Sequence, residues 1–194
     1  MYCDMTLRGG GWTVIQRRLN DDVAFNKSWE EYRNGFGDLT TNFWLGLQKI
    51  RDITDDEDTV FELYIGMESF HPVDVARFAL YKSFSLGSEA EKYVLNIGPL
   101  DPVSDAGDSL TQHNRKQFST PDQDNDSAPT KHCAEEFRAG WWFHNCHDSL
   151  LNGQWYAYGL LADFNVPDGI IWETWSGDQE SLKTTIMAVR PAIP

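Results

Sequence analysis

Gly140-Trp141-Trp142-Phe143-His144-Asn145-Cys146-His147, with Cys133 thirteen residues before its cysteine and Asp122-Gln123-Asp124-Asn125-Asp126 upstream of both, decides how this chain is read. Three carboxylates at alternate positions, on a segment with little regular pattern, suit a hard cation that needs clustered oxygens. The two cysteines bracket a loop directly beyond the carboxylates that holds two tryptophans and one histidine, with a second histidine, His147, just after it. A cation site beside an aromatic surface points to extracellular recognition and away from an acid–base pair.

Composition narrows the classes. The 194 residues suffice for one domain with a sizeable core, and eight Trp supply ample apolar area for it. Sixteen Lys and Arg stand against thirty Asp and Glu, a formal charge of −14 that repels nucleic-acid phosphates and anionic lipid. No apolar run approaches the length of a membrane span, so neither nucleic acid nor membrane insertion is expected. Cys3, Cys133 and Cys146 are an odd count. That fits either three thiols in a reducing compartment or an excised piece of an extracellular protein whose fourth cysteine lies upstream.

Periodicity is clear in the first half. Trp12–Gln16 reads as a strand, and Ser28 with Glu31 forms a capping box for a short helix that Gly35 stops. Phe43, Leu47 and Ile50 predict a second helix over 42–52. Phe61 to Ile65 and Tyr93 to Ile97 alternate as strands, and residues 76–84 place Phe78, Leu80 and Phe84 on one face. From 98 to 132 the pattern stops, and a loop of this length inside a domain is functional or disordered. Two more strands are predicted at 169–172 and 185–191. Successive strands with short turns and a few short helices make the fold class α+β, with a central twisted antiparallel sheet.

The order of motifs resembles the fibrinogen C-terminal domain, or fibrinogen-related domain, and in particular its ficolin- and tachylectin-type lectins. The resemblance rests on Tyr2-Cys3-Asp4-Met5, Gly10–Arg18, Trp29–Gly37, Phe43–Gly46, Gly107–Leu110, His113-Asn114, Phe118–Thr120, the acidic stretch, Cys133-Ala134, Gly140–Trp142, Cys146-His147 and Leu151–Gly153. It implies a single domain over 1–194, truncated at its N-terminus. A sheet part over about 10–97 and 170–191 carries a loop-rich calcium and ligand part over about 98–169. It also implies that Cys133 and Cys146 are bonded and that the partner of Cys3 lies upstream.

By the same resemblance Ca²⁺ takes side chains from Asp124 and Asp126 and backbone carbonyls near Ala128 and Thr130. An EF-hand is excluded, because no Gly stands at the sixth position and Cys133 occupies the twelfth. A zinc site from His132, Cys133, His144, Cys146 and His147 matches no standard spacing. The lectin-type pocket maps onto Phe137, Asn145, Cys146 and His147, then Val166, Pro167 and Asp178, where the usual tyrosines are missing. A cis peptide at Asn145–Cys146 is implied there, turning backbone N–H groups toward an acetyl oxygen. The expected ligands are acetylated glycans or microbial surface sugars, as in innate-immune recognition. The alternative is a protein receptor or matrix partner without glycan binding. A secreted, oligomeric parent is implied.

Enzyme chemistry has little support, since Ser149, His147 and Asp148 are mere sequence neighbours. Asn26-Lys27-Ser28 and Asn125-Asp126-Ser127 read as N-glycosylation sequons.

Overall fold

The computed structural model describes residues 2–73, 75–163 and 165–192. Its strands are β1 (Tyr2–Asp4), β2 (Trp12–Arg18), β3 (Phe36–Gly37), β4 (Phe43–Trp44), β5 (Phe61–Glu68), β6 (Ala76–Tyr81), β7 (Phe84–Leu86), β8 (Leu95–Ile97), β9 (Ser149–Leu150), β10 (Ile171–Trp172) and β11 (Thr184–Pro191). The helices are α1 (Trp29–Asn34), α2 (Leu47–Thr54), α3 (Cys133–Glu136) and α4 (Glu173–Ser176).

One antiparallel sheet of seven strands organises the chain, in the order β3-β4-β2-β11-β5-β6, with β1 also on β2. The last strand, β11, lies between β2 and β5, so the sheet's centre forms only when the C-terminal residues return. Two short antiparallel pairs, β7–β8 and β9–β10, complete the α+β architecture.

The local signals held where their causes are local. Ser28 accepts from the Glu31 N–H, the Glu31 carboxylate accepts from the Ser28 N–H, and α1 ends at Gly35. Ser88 and Glu91 repeat that arrangement on a short 3-10 turn. The helix predicted over 42–52 is different. Phe43 and Trp44 pair with Arg17 and Gln16 of β2 as a strand, and the helix begins only at Leu47. Gly46 makes the break. Its φ is +112°, and a Cβ there would lie 2.7 Å from the Asn34 carbonyl carbon.

Residues 76–84 likewise split. β6 ends at Tyr81, while Phe84 starts a strand that pairs with β8. Tyr93 sits in a left-handed turn before β8, with its hydroxyl donating to Gln48 Oε1 at 2.8 Å. The patternless 98–132 is held by side-chain acceptors. Asp108 alone takes the Tyr81 and Thr111 hydroxyls and two backbone N–H groups.

The core runs from the sheet into this loop-rich part. Gln16 and Arg18 of β2 are buried and donate to the Leu151 and Gly153 carbonyls at 2.9 and 2.7 Å. Two polar side chains in the sheet thereby fix the segment that follows the disulfide loop. Trp141 and Trp142 are fully buried, which corrects the expected aromatic surface. Trp142 donates its indole N–H to the Tyr93 carbonyl and packs on Trp44 and Phe118. Rings of this area gain more from the core than from solvent.

Candidate functional site

Cys133 and Cys146 are bonded, with Cα atoms 5.7 Å apart, and Cys3 is a free, exposed thiol. The bonded pair closes the loop that begins with α3 and ends at the predicted pocket. Phe137 caps α3 and is buried, with its ring stacked on Phe143 and meeting the His147 ring edge-on at 4.5 Å. The Asn145–Cys146 peptide is cis. The His144 N–H donates to the Cys146 carbonyl across the same turn, leaving Asn145 exposed at its tip.

The His147 ring nitrogens are shut off from solvent, with the Pro167 carbonyl as their backbone hydrogen-bonding neighbour. Burial pulls its pKa down to about 4, helped by the neighbouring His144 charge, while the nearby Pro167 carbonyl and the Asp178 carboxylate pull the other way. The imidazole is therefore neutral at physiological pH. Val166 and Pro167 are half-buried and Asp178 is exposed. The fold thus brings Phe137, His147, Pro167 and Asp178 around one ring.

Beside this pocket, Val166 lines a cavity of about 250 Å³ together with Glu136, Arg138, Tyr156, Ala162, Asp163 and Asp168. Asp168 is buried, accepts from the Arg138 guanidinium and takes the Tyr156 hydroxyl at 2.8 Å. That pair ties residue 138 to the 166–168 turn. A larger groove, about 520 Å³, lies along Phe36, Phe43 and Ile53 and shares no residue with the predicted site.

His113, part of one of the sequence motifs, is a buried clamp in the structure. Its Nδ1 lies 2.7 Å from the Trp142 carbonyl, and its Nε2 accepts from the Asp148 and Ser149 N–H groups, both at 3.2 Å. One neutral ring therefore holds both sides of the His144–Cys146 turn. Only its distance in sequence from that turn hid the role.

The acidic stretch divides. Asp122 accepts from the Trp29 N–H at 2.8 Å and the Thr120 hydroxyl at 2.7 Å, so it serves the start of α1 instead of grouping with its neighbours. Asp124 and Asp126 remain together. Asp124 accepts from the Asp126 N–H, and Asp126 accepts from the Ala128 and Cys133 N–H groups at 2.7 and 2.8 Å. The Asp126 pKa is raised, chiefly by burial and further by the Asp124 charge, against those two backbone donors. Two carboxylates that repel in partial burial are a donor set a divalent cation relieves.

Among the described residues no three His, Cys, Asp or Glu side chains converge as a metal cluster, so backbone oxygens must complete any site here. The Ala128 and Thr130 carbonyls lie in the right stretch of chain for that. The Ser127 N–H donates to the His144 carbonyl at 3.2 Å, one hydrogen bond from the pocket turn. Asn125 donates its amide to the Phe118 carbonyl at 2.7 Å, which turns its sequon inward, whereas Asn26 is exposed.

Similarity to known proteins agrees with this geometry. The family model described as the C-terminal globular domain of fibrinogen beta and gamma chains matches residues 1–192. Fibrinogen C domain-containing protein 1 of Xenopus tropicalis is 44% identical over 98% of this chain and 41% of its own length. Human fibrinogen-like protein 1 is 40% identical over 98% of this chain and 62% of its own. This chain thus spans about two-fifths of the first relative and less than two-thirds of the second. Among solved structures, the fibrinogen-like globe domain of human ANGPTL6 superposes with a TM-score of 0.94 at 39% identity, covering 100% of this chain and 84% of that one. The lamprey fibrin D-dimer complexed with Gly-His-Arg-Pro-amide does so at 0.87 and 36% identity, covering 97% and 63%. Members of this family are non-enzymatic binding domains, and the chain belongs to it: it is a fibrinogen C-terminal globular domain.

Proposed function

We propose that this domain is an extracellular, calcium-dependent recognition module that binds an acetylated sugar or a similar small polar group. Its pocket is formed by Phe137, Asn145, Cys146 and His147 and bordered by Val166, Pro167 and Asp178. One observation carries the reading. The exposed Asn145 tip of the disulfide-closed turn stands next to the His147 ring, which packs edge-on against Phe137. The turn offers polar groups to a ligand oxygen or N–H, with Phe137 the wall for a methyl group. The resemblance to ficolin- and tachylectin-type lectins supports the acetyl group, and the disulfide supports an oxidising, extracellular setting.

Ca²⁺ belongs with Asp124, Asp126 and the carbonyls of Ala128 and Thr130. When bound it neutralises the two carboxylates. The Ser127–His144 hydrogen bond then links that segment to the pocket turn. On this reading residues 98–169 recognise, and the sheet of 10–97 and 170–191 supports them.

A basic peptide is the second reading. It is favoured by Asp178 at the pocket and by the cationic peptide on the similar lamprey fibrin fragment. Calorimetric titration of N-acetylglucosamine and glucosamine, with and without Ca²⁺, separates the two. The acetylated sugar should bind, and His147→Phe should abolish binding while keeping the ring packing. Equal affinity for both sugars, or binding of Gly-His-Arg-Pro-amide alone, removes the lectin reading.

A further inference from the structure

A second surface, which shares no residue with the pocket, gathers apolar side chains that the core leaves wholly or partly exposed. Phe70 and Val73 lie on the turn between β5 and β6. Trp155, Tyr158 and Leu160 lie on the segment after β9. The Phe70 ring meets Trp155 at 5.8 Å and Tyr158 at 6.5 Å. Glu180 joins the two segments, because the His71 N–H donates to its carboxylate at 3.0 Å and Leu160 bridges to its backbone. Val73, Tyr158 and Leu160 are 74%, 73% and 64% exposed. Single exposed apolar residues are ordinary on a protein surface; a contiguous group containing Trp and Tyr marks a binding face.

The patch is held in place without a partner. The Trp155 indole N–H donates to the Lys183 carbonyl at 2.9 Å, and the Ser181 N–H donates to the Gly159 carbonyl at 3.0 Å. Tyr158 has φ +61°, a backbone region that an aromatic residue seldom adopts. Trp155, tethered by its indole N–H, is a pre-ordered aromatic, which lowers the entropy lost on binding.

Charge names the occupant. The rim carries Glu180, whose partner His71 is charged only when protonated, and Glu68, which pairs with Lys183 at 2.8 Å. The rim is therefore net negative, on a chain whose formal charge is −14. A second copy would bring the same rim and the same net charge against it, and anionic lipid is repelled for the same reason. We propose that the Phe70–Val73 and Trp155–Leu160 surface docks a cationic segment of another protein, one that presents an aliphatic or aromatic anchor flanked by Lys or Arg.

The probe is a pair of fluorescent synthetic peptides of about twelve residues, with the same Leu and Phe anchors, interleaved with Lys in one and Glu in the other. Anisotropy is read against the whole chain, against Tyr158→Ser/Leu160→Ser, and against Val60→Ser/Val103→Ser, which removes exposed apolar groups outside the patch. The Lys peptide should bind wild type and the Val60/Val103 variant alike and the Tyr158/Leu160 variant about tenfold or more weakly. The Glu peptide should not bind. The proposal is overturned if the Lys peptide fails to bind wild type, if the Tyr158/Leu160 change leaves its affinity alone, or if the Glu peptide binds equally well. A dimer in sedimentation that the variant abolishes, or variant-sensitive binding to phosphatidylcholine vesicles, would assign the face to a second copy or a membrane instead.

Discussion

His113 shows how much one side chain decides here. It is fully buried, and burial lowers its pKa to about 3, with the Trp142 carbonyl opposing and His144 and His147 adding repulsion. The unfolded chain takes up that proton near pH ~6.5. The folded-state pKa is depressed, so this group's contribution is complete above ~6.5 and is lost as pH falls toward 3. Between pH 7 and about 4.5 the loss from this one site is roughly 2–3 kcal/mol. Urea unfolding at both pH values should show His113→Gln losing correspondingly less than wild type; equal losses would place the acid sensitivity in the carboxylates. Phe137 carries a different lesson. The wall of the proposed pocket is also a core ring, so Phe137→Ala is expected to remove about 3–5 kcal/mol and is a poor probe of binding. His147→Phe, which keeps an aromatic ring at that position, is the cleaner one.

At the scale of elements, the α1 capping box was legible because donor, acceptor and helix all lie within four residues. The strand Phe43–Trp44 was not, because its partners on β2 are more than twenty-five positions away while its apolar spacing continues into α2. The acidic segment is a similar case. Alternate carboxylates suggested a cation, yet only the fold separates Asp122, bound to α1, from Asp124 and Asp126. Asp124→Ala should abolish stabilisation by Ca²⁺, which for a native-state ligand amounts to about 2.7 kcal/mol at a hundredfold excess over Kd. It should also raise proteolysis within 98–132 while far-UV dichroism stays constant. A melting temperature that chelator leaves unmoved would mean that calcium has no structural part here.

For the whole molecule, the disulfide and the sheet act together. Cys133–Cys146 restrains the loop-rich part, while Gln16 and Arg18 attach the following segment to β2. A loop of this size closed by a disulfide contributes roughly 3 kcal/mol in the chain-entropy model. Cys133→Ser/Cys146→Ser should lower stability by about that amount and leave the pocket turn mobile in amide exchange. Thiol titration of the denatured, unreduced chain should find one reactive group, Cys3; three would return the protein to a reducing compartment.

The sequence by itself determined the family, the antiparallel sheet with its short helices, the two caps that start and stop α1, and the residues from which a pocket and a cation site can be built. These are written in local spacing and in motif order, which survive without knowledge of distant partners. Only the tertiary structure decided that β11 enters the middle of the sheet and that Trp141 and Trp142 are core and not surface. It also decided that His113 clamps the turn, and that Phe70 meets Tyr158 across nearly ninety residues of chain. Each of these contacts joins groups far apart in sequence. Their free energy comes from burial and from hydrogen bonds that exist only after the chain has closed, so no window of neighbouring residues records them.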